Sequence, residues 1–92
     1  MTENELAKSI VDAAYKVHVA LGPGLLESVY EVVLAYELRK RGLAVERQLP
    51  IPMRYESIIF EEGFLADLVV ENQVVVELKS VTKTFGPVRA VI

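Results

Sequence analysis

A chain of 92 residues and 10.3 kDa has room for one thin core, so a single domain of at most two packed layers is expected. With 52% hydrophobic and 25% charged residues it is too apolar for a disordered segment and too evenly mixed for a membrane span. The absence of Cys and the presence of one His, His18, exclude disulfides, thiolate catalysis and a multi-histidine metal site built from one chain. A formal charge of -3 argues against strong non-specific nucleic-acid binding, but the charges fall in blocks. Residues 55–78 carry six acidic and no basic side chains, and residues 79–92 three basic and no acidic ones. Such blocks suit either a solvated surface or a cation site flanked by anion contacts. No apolar segment follows the polar start Met1-Thr2-Glu3-Asn4, so nothing suggests secretion and a cytoplasmic location is expected.

Leu6, Ile10, Ala13 or Ala14, Val17 and Leu21 recur at helical steps, with Glu5, Lys8, Asp12 and Lys16 on the other side, and predict a helix over about 4–20. Gly22-Pro23-Gly24 breaks it. A second helix is predicted over about 25–41, packing on a sheet through Val29, Val33 and Tyr30, leaving Lys40 and Arg41 exposed and ending at Gly42. The period then becomes extended. Residues 45–55 read as a first strand, unpaired along one edge at Pro50 and Pro52; Tyr55-Glu56-Ser57 reads as a turn. Residues 58–60 and 63–70 form the second strand, with Gly63 at a bulge or close approach. Gln73 to Val81 is the third, and its run Val74-Val75-Val76 resembles a central strand covered on both faces. The expectation is an α+β domain: two helices followed by a three-stranded antiparallel meander.

Asp67 interrupts one apolar strand, and Glu77 and Lys79 interrupt another. Charged groups are costly in a core unless paired or ligating. One reading is a solvated sheet face; the other is a site where Asp67 and Glu77 hold Mg2+ or Mn2+ through hard oxygens and Lys79 assists the reaction. Glu27, in the first turn of the second helix, is either a helix-stabilising acid or a further ligand. His18 reads as a packing or surface residue. Lys79-Ser80 follows no glycine-rich run and so makes no phosphate loop.

His18-Val19-Ala20-Leu21-Gly22-Pro23 followed by Gly24-Leu25-Leu26-Glu27-Ser28-Val29-Tyr30-Glu31 resembles the signature of the bacterial and archaeal GxxExxY family. Phe64-Leu65-Ala66-Asp67-Leu68-Val69-Val70 and Val74-Val75-Val76-Glu77-Leu78-Lys79 resemble its second signature, in the right order. That family is placed in the PD-(D/E)XK nuclease-like superfamily, whose restriction-endonuclease-like core is a helix, three antiparallel strands, a crossover helix and a further strand. The resemblance implies that Asp67, Glu77 and Lys79 are the catalytic residues and that Glu27, Asp67 and Glu77 are the metal ligands, with Mg2+ or Mn2+ as cofactor and DNA or RNA as substrate. Residues 85–92 do not match the family's later helix and strand, so residues 1–92 are expected to be one nuclease-like domain, shortened at its C-terminus. The leading expectation is a domain that is catalytically silent or partner-dependent, completed by a protein partner or a second copy; the other is an active phosphodiester hydrolase. No membrane role is expected. A missing layer would leave an apolar patch near Val74 to Leu78 or bury it in an oligomer.

Register separates the possibilities further. A two-residue turn at Glu71-Asn72 would pair Val70 with Gln73 and set Asp67 and Glu77 on opposite sheet faces. A three-residue turn, with Asn72 or Gln73 in the left-handed region, or else a bulge in one strand, would set Asp67 opposite Glu77. The chemistry predicts the second, with Asp67, Glu77 and Lys79 on the face covered by the second helix.

Overall fold

In the computed structural model, residues 1–78 are described. Two helices, α1 (Glu3–Leu21) and α2 (Glu27–Lys40), precede three antiparallel strands, β1 (Val45–Tyr55), β2 (Ile58–Val70) and β3 (Val74–Val76), in the sheet order β1-β2-β3. This is the α+β arrangement that the periodicities predict. Among the described residues no helix is long and apolar enough to cross a membrane.

A capping box starts α1. The Thr2 side chain accepts from the Glu5 backbone N–H at 3.1 Å, and the Glu5 carboxylate accepts from the Thr2 N–H at 2.8 Å. That backbone donor holds the Glu5 carboxyl below its ordinary value. The helix buries Leu6, Ile10, Ala13, Ala14 and Val17, one face at the helical period.

At the other end of α2, Gly42 takes a φ of 84°. The Gly42 N–H reaches the Arg39 carbonyl and the Leu43 N–H reaches the Leu38 carbonyl, closing the last turn as a Schellman motif. Lys40 and Arg41 are exposed, as predicted. The Arg41 guanidinium nonetheless donates to the Ser9 carbonyl and hydroxyl on α1, and Arg39 donates to the Val45 carbonyl.

The buried residues of α2 are Glu31, Leu34, Ala35 and Leu38; of the predicted contacts, Val33 and Tyr30 pack partly buried against the core and Val29 does not. Val29 is 37% exposed; Val33 and Tyr30 lie at the margin of the core. The first turn of α2 is exposed, and the helix reaches the core only from Tyr30 onward.

The core lies between the helices and one face of the sheet, where Leu6, Ile10, Leu34 and Leu38 meet Leu68, Val70 and Val76. The ladder of β3 is shorter than the predicted span, and the part of that span beyond Leu78 lies outside the described residues. Among the described residues β3 is also an edge strand, and the central strand is β2. The expected apolar patch at Val74 to Leu78 is not formed. Val76 and Leu78 are buried in the helix-packed core, because α1 lies against β3 and covers that strand. The exposed large apolar residues include Met53, Tyr55, Ile58, Ile59 and Phe60 at the far end of the β1–β2 hairpin.

β1 is the other edge, which suits Pro50 and Pro52. Between Ile51 and Met53 the register shifts, so that Pro52 on β1 faces the longer stretch Glu61-Glu62-Gly63 on β2. Gly63 sits at this bulge, where a Cβ atom would stand 2.7 Å from Met53 Cβ. The obstacle is the root of the Met53 side chain, which cannot swing aside. Gly63→Ala is therefore expected to lower stability by about 1–3 kcal/mol in a urea titration.

Candidate active site

The connection from β2 to β3 decides where the acidic residues fall. Glu71 and Asn72 have φ of 53° and 54°, and the Gln73 N–H donates to the Val70 carbonyl at 2.9 Å. This much is a tight hairpin turn with two left-handed central residues. The ladder then resumes one residue later, pairing Val70 with Val74, Val69 with Val75 and Leu68 with Val76. Gln73 is the extra residue, and the connection is the three-residue one. Continued by one step, the register sets Asp67 opposite Glu77.

Left-handed backbone falls on Glu71 as well as on Asn72, where Asn72 or Gln73 was expected. Contacts to the start of β1 hold Glu71 there. Its N–H donates to the Ala44 carbonyl at 2.8 Å, and its carboxylate accepts from the Ala44 N–H at 2.6 Å.

The ladder ends at Leu68 and Val76, so a shared face for Asp67 and Glu77 is an extension of its register, and it is not the expected face. Leu68, Val70, Val76 and Leu78 join the helix-packed core, so alternation groups Asp67 and Glu77 with Val69 and Val75 on the other side. The physical reason is that the larger apolar set of β2 and β3 occupies the alternate positions and is drawn to the helices. Glu27 stands in the exposed first turn of α2. Among the described residues no three His, Asp or Glu groups are gathered as a metal cage, so Glu27, Asp67 and Glu77 do not form one in this arrangement. Lys79 lies outside the described residues.

Asp67 is nevertheless held firmly in orientation. Its Oδ2 accepts from the Leu78 N–H at 2.8 Å, and its Oδ1 lies 3.4 Å from the Gln48 side-chain nitrogen. That same nitrogen donates to Oε1 of Glu31 at 2.7 Å. Oε2 of Glu31 pairs with the Arg47 guanidinium at 3.0 Å. Glu31 is 5% exposed, the one buried charged residue among those described. A chain of polar contacts therefore runs from Arg47 through Glu31 and Gln48 to Asp67 and the backbone of Leu78.

Glu31 and Gln48 were missed in the sequence. Glu31 carried a usable signal: it lies one turn after Glu27 and at a three-residue step before Leu34, on the side of α2 that also carries Leu38. Gln48 carried none, since a polar residue alternating with apolar ones in a strand reads as outward-facing.

Tyr30 has a separate task. Its hydroxyl donates to the Gly22 carbonyl and accepts from the Leu25 N–H, and its ring packs 5.4 Å from that of His18. The tyrosine thereby ties down the glycine-proline-glycine loop from which the Glu27 turn springs. His18 is a packing residue in this contact, as expected.

The family profile of the PD-(D/E)XK nuclease superfamily matches residues 4–88. The chain belongs to that superfamily. No curated protein and no solved structure matches it. A helix followed by three antiparallel strands opens that superfamily's core, and α2 with β1, β2 and β3 has this order, with Asp67 in β2 and Glu77 directly after β3.

The Glu31–Arg47 pair allows a stability test. Arg47→Met strands a buried carboxylate and is expected to cost about 1–3 kcal/mol, tempered by the partial exposure of Arg47. The double variant Arg47→Met with Glu31→Leu should recover most of that loss in the same denaturation experiment, because no charge is left unpaired.

Proposed function

We propose that this PD-(D/E)XK member is of the GxxExxY type and is a nuclease-like domain that takes Mg2+ or Mn2+ on Asp67 and Glu77 but is catalytically silent without a partner. The observation that supports this reading is the three-residue turn, whose register, continued one step beyond Leu68 and Val76, would set the two carboxylates opposite each other. Opposed strand residues have Cβ atoms roughly 4.5–5.5 Å apart. Two carboxylates suit Mg2+ in particular, which is commonly bound by one or two of them and keeps several waters. A partner or a second copy would complete the site, and the open edge of β3 among the described residues is one place for it to add.

The same register favours a second reading, a Mg2+- or Mn2+-dependent phosphodiester hydrolase acting on DNA or RNA. Asp67 and Glu77 would hold the cation, Glu27 would join them, and Lys79 would orient water or steady the negative charge that develops on the phosphoryl group. A bound cation supplies an activated water and offsets charge on a phosphoryl oxygen.

Calorimetric titration with Mn2+, paired with cleavage assays on labelled DNA and RNA, tests both. Saturable heat in the wild-type protein, lost in folded Glu77→Ala, with no cleavage by the chain alone, is the expected result. Cation-dependent cleavage that disappears in Lys79→Ala would replace the first reading with the second. A folded wild-type protein that gives no saturable heat would overturn both.

A further inference from the structure

Gln48 is the irregular residue of β1. Its φ of 52° lies in the left-handed region, although it sits inside a strand and is not glycine. The ladder pairs Arg47 with Leu68 and Leu49 with Ala66, and it omits the step between them, where Gln48 would face Asp67. Left-handed backbone is costly for an L-residue and persists where surrounding contacts over-determine it. The contacts are those of the side-chain amide. A carboxylate with no proton only accepts, so the group that meets Glu31 at 2.7 Å and Asp67 at 3.4 Å is the amide nitrogen, with one hydrogen for each. Arg47 already neutralises Glu31, so that carboxylate is a fixed anchor. No packing need accounts for the twist, since Gln48 is exposed.

We infer that Gln48 is a positioning residue for the cation site: it anchors on Glu31 and holds one oxygen of the Asp67 carboxylate, with the Leu78 N–H fixing the other. This rests on the reading that Asp67 and Glu77 take a divalent cation. Gln48 itself does not ligate. Its part is to hold one ligand in a single orientation before the cation arrives, the role for which outer partners of metal ligands raise affinity.

Titration of the isotope-labelled protein with MgCl2, followed by NMR, tests the inference without reference to cleavage. In the wild-type protein the Gln48 side-chain amide signals and the Leu78 backbone amide signal are expected to shift saturably with one common dissociation constant. Gln48→Gly accepts the left-handed backbone and removes the amide; Gln48→Asn tolerates that backbone and carries an amide too short to span both carboxylates. Each should weaken Mg2+ binding about 10-fold or more, at the lower end of the range for partners of metal ligands, while leaving the other amide signals in their folded positions. Affinity unchanged in either folded variant would overturn the positioning role and leave the cation reading standing. So would wild-type shifts at Asp67 and Glu77 with an unmoved Gln48 side-chain amide, a result that needs no variant to fold. Absence of any saturable shift in the wild-type protein would overturn the cation reading and, with it, this inference.

Discussion

A one-residue difference in the turn between β2 and β3 governs the register of the two strands. Side chains in a strand alternate, so a two-residue connection would send Asp67 and Glu77 to opposite faces, and a three-residue connection brings them together. The turn achieves both a tight reversal and the longer count. Glu71 and Asn72 make the reversal in left-handed conformation, and Gln73 is then passed over before the ladder resumes at Val74. Glu71 is an unusual residue for that backbone, and its two bonds to Ala44 supply the compensation. The start of β1 therefore helps to set the register of β3, though the two strands are not neighbours.

Charge is managed on the helix-packed side by the same economy. Packing α2 on the sheet takes Glu31 out of water, which is tolerable because Arg47 and Gln48 each supply a donor. These two residues are consecutive in β1, and in a regular strand they would point in opposite directions. The left-handed backbone at Gln48 breaks that alternation and lets both reach one carboxylate. A strand irregularity thus joins the helix layer to Asp67.

The stretch from Gly22 to Glu31 divides its labour between a loop and the first turns of α2. Glycine and proline end α1, Tyr30 fastens the loop they form, Glu27 occupies the exposed first turn, and Glu31 is the residue that enters the core. Superfamily membership agrees with the order of these parts, the second helix, the strand that carries Asp67 and the strand that leads into Glu77.

Local periodicity sufficed for the elements. The apolar face of α1, the stop at Gly22-Pro23-Gly24, the glycine after α2, the change to extended structure at Val45 and the close approach at Gly63 all depend on near neighbours in the chain, and these were readable in the sequence. The three-residue connection between β2 and β3 was also readable, because it is one way, a strand bulge being another, to set two carboxylates on one face. Tertiary structure decided the rest. Which stripe of α2 is buried depends on where the helix crosses the sheet, so Val29 was misassigned and Glu31 overlooked. Which sheet face meets the helices depends on the summed apolar area of β2 and β3, so strand alternation assigns the positions of Asp67 and Glu77 to the other side, while the Asp67 carboxylate still meets the Gln48 amide that Glu31 holds. The contact of Gln48 with both Glu31 and Asp67 required three segments to meet at one backbone irregularity, and no local pattern of residues encodes such a meeting.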